Sequence, residues 1–116
     1  MINYQNRLKK NKHFQYIYKH GTGVKCGFIT LVFIKAKVKP FKVGFSVGSK
    51  VGKSVQRNKV KRQMKEAFSQ ILPLVDRRYN YIFVAKPGIV ELDFHSIKQN
   101  MLDVVKKAGL FNEQNN

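Results

Sequence analysis

Residues 44–68 read GFSVGSKVGKSVQRNKVKRQMKEAF, and the way this stretch folds decides the architecture. Its second half continues an apolar series: Val60, Met64, Ala67, Phe68 and Ile71 fall at i, i+4, i+7, i+8 and i+11. That spacing predicts one buried helical stripe. Ser54 is the expected N-cap, and Pro73 the expected stop, because the residue before a proline is pushed out of the helical region. The opposite face is basic. Arg57, Lys61 and Lys65 form one i, i+4 row, with Asn58 and Arg62 on the next. Like charges at this spacing cost roughly 0.2–0.5 kcal/mol per pair, and cations near a helix start oppose its dipole. A solvated polar face would intersperse glutamates, yet no acid occurs from Lys42 to Lys65. The pattern points instead to a surface for phosphate.

Outward from this helix, residues 42–50 (KVGFSVGSK) read as a strand. It is expected to pair antiparallel with a longer strand over residues 26–38 (CGFITLVFIKAKV), with the turn at Pro40. Residues 11–21 (NKHFQYIYKHG) form a short helix capped by Asn11 and stopped by Gly21, with Phe14, Ile17 and Tyr18 on one face. A further strand is expected at 79–85 (YNYIFVA). A last helix runs from about 93 to 108, with stripe Phe94, Ile97, Met101, Val104, Val105 and Ala108, cap Asp93 and stop Gly109. The order helix-strands-helix-strand-helix is an α+β layout in which helices pack on a small sheet. With 116 residues the chain suits a single domain, residues 1–116, with flexible ends at 1–10 and 110–116.

A hydrophobic fraction of 43% supports a real core, which excludes a disordered basic tail. The 23 Lys and Arg against 6 Asp and Glu give a formal charge of +17, a liability for a small fold unless a polyanion neutralises it. The charge is also partitioned. Seventeen of the basic residues precede the first acid, Glu66, while the remainder of the chain is balanced. Cys26 is the only cysteine, so no internal disulfide forms and a reducing compartment is expected. No signal-peptide pattern opens the chain, and the longest apolar run, residues 28–34, is far short of a membrane span. A soluble, cytoplasmic protein is the expectation.

The loop before the basic helix, residues 48–54 (GSKVGKS), supplies glycines, serines and the lysines Lys50 and Lys53 at a helix start, where free amides accept phosphate. It is not a nucleotide-binding G-x-x-x-x-G-K-[ST] loop, since three residues rather than four separate Gly48 from Gly52. A nucleic-acid backbone fits better. The strands beside the helix argue against an all-helical DNA-binding unit. RNA recognition uses exposed aromatics on which unpaired bases stack, and Phe14, Tyr18, Phe28, Phe33, Phe41 and Phe45 are candidates, most of them needed for the core.

The ordered residues then match something specific. The stretch 44–68 resembles the signature of the bacterial ribonuclease P protein subunit, in which a strand ending in Ser-Val-x-x-Lys leads through a short loop to an Arg-Asn-Arg helix. Here that core is Arg57-Asn58-Lys59; the third position departs from the family, and Lys59 lacks the bidentate geometry of guanidinium. Gly48-Ser49-Lys50 is a second, mild departure. The opening NRLKKNKHFQYIYKHG, the strand at 79–85 and the last helix also fit, so the resemblance covers nearly the whole chain.

The resemblance implies a small α/β sandwich, ribosomal protein S5 domain 2-like, with a left-handed βαβ crossover, against the usual right-handed rule. It implies a subunit of a ribonucleoprotein that removes the 5′ leader from precursor tRNA. The catalytic centre and most of the Mg²⁺ ligands would belong to the RNA. Partners would be the catalytic RNA and precursor tRNA, with no membrane and no small-molecule substrate. Lys50, Lys53, Arg57, Asn58, Lys59, Lys61, Arg62 and Lys65 become the RNA-contact candidates. Phe14 and Tyr18 become candidates for a leader-binding cleft, joined by a strand residue that is Leu31, Val32 or Phe33, with Phe33 placed in the set. No catalytic or metal-ligating residue of the protein itself is expected. His13, His20 and His95 lack metal-ligand spacing, and Glu91 with Asp93 is the only close acid pair. The alternative from another class is a structural RNA-binding protein of ribosomal type. A self-sufficient metal-dependent nuclease is disfavoured by the scarcity of acids.

Overall fold

The computed structural model describes residues 6–112. The elements are α1 (Asn11–His20), β1 (Thr22–Cys26), β2 (Ile29–Lys35), β3 (Val43–Ser46), α2 (Ser54–Ile71), β4 (Tyr79–Ala85) and α3 (Phe94–Lys107). Short 3-10 turns occupy Ser49–Val51, Leu72–Leu74 and Ile89–Glu91. The sheet is mixed, in the order β1-β2-β4-β3: β1–β2 and β2–β4 are antiparallel, and β3–β4 is parallel. This is the α+β layout the sequence predicts.

Side chains alternate across the sheet with period two. Ile29 and Leu31 on β2, and Tyr81, Phe83 and Ala85 on β4, pack with the apolar stripes of α2 and α3 in one core. All five stripe residues predicted for α2 are buried. The intervening positions, Val32, Gly44 and Ile82, face α1, whose Ile17 is buried against the sheet. Gly44 leaves room for the Phe14 ring, since a Cβ would sit 2.6 Å from it and force it to shift.

Two strand expectations are corrected. The expected strand at 26–38 is broken by a turn at Gly27, whose φ of +59° suits glycine. Thr22–Cys26 then folds back to pair with β2, from Cys26↔Ile29 to Thr22↔Phe33. β1 is an edge strand that pairs only with β2, and with Thr22, Gly23 and Lys25 exposed and only Val24 and Cys26 half-buried it is hidden from hydrophobic patterning. The Asn100 side chain accepts from the Phe28 amide at 2.8 Å, and Lys107 Nζ donates to the Lys25 carbonyl at 2.8 Å, so α3 fixes the hairpin. The second correction is that β3 does not pair with β2. β4, whose Tyr81, Ile82 and Phe83 are fully buried, takes the central position between them. α2 is the crossover that the parallel β3–β4 pair needs.

Helix ends differ in detail. Lys10 rather than Asn11 occupies the α1 cap, and Lys53 rather than Ser54 that of α2. The Lys53 amide donates to Gln56 Oε1 at 3.0 Å. Leu72, before Pro73, stays helical at φ −51° and ψ −41°. The α-helix stops because Pro73 has no N–H to offer the Ser69 carbonyl. Asp93 caps α3 as expected, accepting from the Ser96 amide at 2.8 Å.

The described parts of both chain ends carry defined hydrogen bonds. Asn6 Nδ2 donates to the Phe41 carbonyl at 2.8 Å, and the Leu8 amide to the Val43 carbonyl at 2.9 Å. At the other end, Phe111 bridges Val75, and the Asn112 amide donates to the Leu74 carbonyl at 2.7 Å. The remainder of each end, residues 1–5 and 113–116, lies outside the described residues. Among the described residues no helix is long and apolar enough to cross a membrane.

Asp76 latches the connection from α2 to β4. It is 7% exposed, and its carboxylate accepts from the Arg78 amide, Nε and a terminal nitrogen at 3.0, 3.0 and 2.7 Å. Its amide donates to the Leu110 carbonyl, and its own carbonyl accepts the Tyr81 hydroxyl. The Arg78 hydrogen bonds hold the Asp76 carboxyl below its usual pKa, against a smaller opposing effect of burial. A depressed carboxylate contributes stability above its unfolded pKa of roughly 3.9, and loses it as pH falls through the folded value. Asp76→Asn is therefore expected to destabilise the protein by about 1–2 kcal/mol at pH 7, a figure reduced for the exposure of Arg78. In urea unfolding, the gap between wild type and variant should close as the pH is lowered below about 4.

Candidate nucleic-acid interface

The entry to α2 is braced from within. Arg57 Nε donates to the Gly52 carbonyl at 3.1 Å, and the Gln56 side chain folds over Gly52, where a Cβ would lie 3.2 Å from Gln56 Cδ. Arg57 is accordingly half-buried, while Lys50 and Lys53 project into solvent on the same loop. This arrangement fixes the backbone ahead of the helix and leaves the terminal guanidinium nitrogens of Arg57 available to an anion.

Along α2 the predicted basic set divides. Asn58, Lys59 and Arg62 are exposed, whereas Lys61 and Lys65, one turn apart, are half-buried. Lys61, Arg62 and Lys65 line a cleft of about 540 Å³ that follows the open edge of β3. Its other walls are Arg7, Leu8 and Lys9 from the lead-in, Phe14 from α1, and Val43, Gly44 and Phe45 from β3. An adjoining hollow of about 450 Å³ shares Lys9, Phe14, Phe45 and Lys61, and extends past Gln15 to Tyr18, Ser46 and Val47. Phe14 and Tyr18 sit one helical turn apart with ring centroids 6.4 Å apart, and Tyr18 is 39% exposed.

Phe33 is not brought to this site. It lies on the α2–α3 face of the sheet, partly buried against the core, with its ring edge-on to Tyr79 at 5.9 Å. Leu31 is fully buried on that same face. Of the three β2 positions, Val32 is the one that faces α1, within 3.1 Å of where a Gly21 Cβ would be. Among the other aromatics expected on strands, Phe41 precedes β3 and is core, Phe45 stacks on Phe83 while lining the cleft, and Phe28 lies in the turn before β2 and covers Gly88. Phe45 was among the aromatic candidates, whereas Arg7, Lys9 and Ser46 join the site without having been singled out for it. For Arg7 and Lys9 the basic run at residues 7–10 is the only signal, and the return of the lead-in onto Val43, which places it, is a tertiary event.

The cleft is cationic with one exception, Glu66, whose carboxylate accepts from Gln70 at 3.3 Å. Partial burial pushes the Lys65 ammonium below its usual pKa, and the charges of Arg7 and Lys61 push the same way. Cations forced together beside the half-buried Phe14 ring and the exposed Tyr18 ring have the chemistry to meet phosphates and unpaired bases. Among the described residues no three His, Cys, Asp or Glu converge to hold a metal ion.

The family model for ribonuclease P matches residues 2–109. The ribonuclease P protein component of Caldanaerobacter subterraneus subsp. tengcongensis is 35% identical over 108 residues, covering 93% of each chain. That of Clostridium botulinum (strain 657) is 35% identical over 109 residues, covering 93% of this chain and 98% of the other. The solved structure of the Staphylococcus aureus RNase P protein superposes with a TM-score of 0.84 at 31% identity, covering 92% of this chain and 98% of that one.

A charged lysine with a lowered pKa is a cost to the fold at neutral pH, relieved as pH rises through the lowered folded value and gone above the unfolded value of roughly 10.4. Lys65→Gln is thus expected to stabilise the free protein at pH 7 and low salt, by about 0.2–0.5 kcal/mol for each like-charge contact removed. Urea unfolding should show the gain shrinking as salt is added, because these charges are then screened.

Proposed function

This chain belongs to the ribonuclease P protein family, and on that premise we propose that its cleft holds the single-stranded 5′ leader of precursor tRNA while the start of α2 docks on the catalytic RNA. It is the protein subunit of ribonuclease P, an endoribonuclease of tRNA processing that works with an RNA partner. The observation that carries the finer reading is the cleft itself, where Arg7, Lys61, Arg62 and Lys65 stand beside Phe14 and Tyr18. Phosphates of an extended strand meet the cations, and its bases stack on the rings. The exposed residues Lys50, Lys53, Asn58 and Lys59, with the braced Arg57, form the face offered to the larger RNA. Of the β2 candidates, Val32 is the one on the α1 face of the sheet, though it lines neither hollow.

In this reading the chemical step belongs to the RNA, in the cytoplasm, with Mg²⁺ as the cofactor. Magnesium takes an octahedron of oxygen ligands, and one carboxylate, Glu66, among five cations does not fit that requirement. The metal is therefore assigned to RNA phosphates. The protein's residues bind and orient the leader, and offset the charge that accumulates where two polyanions meet.

Cleavage of precursor tRNA at low Mg²⁺, with and without the cognate catalytic RNA, tests the proposal. The protein should raise the rate only when that RNA is present. Cleavage by the protein alone, or an unchanged rate, overturns it. Arg62→Ala should reduce the slope of log affinity against log salt by about 0.7–0.9, the loss of one phosphate contact. Arg57→Ala should lower affinity further, since it also frees the Gly52 carbonyl and loosens the loop. An unchanged slope in both variants would remove them from the interface.

A further inference from the structure

The outer flank of α1 carries an aromatic pair that the cleft does not use. Successive residues of a helix are about 100° apart. Phe14 and Tyr18 therefore lie on one side of the buried Ile17, and Tyr16 and His20 on the other. Tyr16 is 44% exposed and its ring lies 4.6 Å from that of His20, tilted by 43°. Lys37 reaches across from the loop after β2, its ammonium 3.1 Å from the Tyr16 hydroxyl and 5.4 Å from the ring centroid.

Three features make this flank more than incidental surface. The rings are already paired, so stacking a third would cost little ordering. A contact 21 residues distant in sequence holds the edge of the platform. Lys37 also keeps its charge beside the ring rather than on a carboxylate, and no acid precedes Glu66. An exposed ring pair edged by a cation has the chemistry of a single-strand nucleic-acid contact.

We propose that Tyr16, His20 and Lys37 form a second RNA contact, where an unpaired base stacks on the Tyr16–His20 pair and its phosphate meets Lys37. This rests on the reading of the chain as an RNA-binding subunit. The base comes from either the catalytic RNA or precursor tRNA, on the side of α1 opposite the leader cleft.

The chain has no tryptophan, so Tyr16→Trp and, separately, Tyr18→Trp each create a single fluorescent reporter. Each full-length variant is titrated with the cognate catalytic RNA, with precursor tRNA, and with both, while RNA retention on a filter is followed in parallel. Quenching of the residue-16 reporter is expected, and the RNA that causes it identifies the source of the base. Tyr16→Ala should weaken affinity for that RNA roughly five- to a hundred-fold, while Tyr16→Phe stays within about twofold. Lys37→Gln should lower the salt slope by about 0.7. If the residue-18 reporter is quenched and the residue-16 reporter is silent with both RNAs, or if Tyr16→Ala binds as wild type, this contact is refuted and the cleft reading stands. If no RNA is retained and neither reporter responds, both fall.

Discussion

The arrangement depends on how Phe68 anchors α2. Fully buried, it meets Phe41, Phe45, Tyr81 and Phe83 with ring centroids 5.5–6.4 Å away. Each such aromatic contact adds about 0.5–1.5 kcal/mol beyond the area it buries, whereas each like-charge i, i+4 pair costs about 0.2–0.5 kcal/mol. The anchor therefore outweighs the repulsion along Arg57, Lys61 and Lys65. It sits in the C-terminal half of the helix, which frees the N-terminal half to be cationic. Aromatic packing at one end is what allows the other end to remain electrostatically unsatisfied.

That imbalance is put to use along the edge of β3. Lys61 and Lys65 come from α2, Arg7 from the returning lead-in, and Phe14 from a helix on the far face of the sheet. They converge because β3 is the sheet's last strand and Gly44 gives the Phe14 ring room against it. Each of these groups would be ordinary surface elsewhere. Together they give the protein a free-energy cost in isolation that a bound polyanion removes.

The helices were legible because their stripes are long and periodic, and their buried residues follow the spacing read from sequence. β4 was legible for its dense apolar run. β1 was not, since TGVKC is short, its alternation rests on Val24 and Cys26 alone and it has no large apolar residue, and its place is fixed by Asn100 and Lys107 on a helix some seventy to eighty residues later. The strand order was not legible either, because insertion of β4 between β2 and β3 is decided by which strand buries both faces. In the site, the basic helix and the Phe14–Tyr18 pair were readable from local spacing. Phe33 was displaced from the set by a single-residue matter of strand parity: its neighbour Val32 points to α1 and it does not. Arg7 and Lys9 needed the lead-in's return to Val43, which leaves no periodic trace.

The open edge of β3 has a consequence for the crowded conditions in which such proteins are made. An unpaired strand edge is a template on which a second chain can add. Here the edge is only four residues long, and the lead-in already pairs beside Val43. Lys61, Arg62 and Lys65 surround what is left. Two copies approaching edge to edge would bring these cations against their own likeness, so mutual repulsion guards the sheet against self-templating. Bound RNA would cancel that repulsion while physically covering the edge, so the strand would pass from one form of protection to the other.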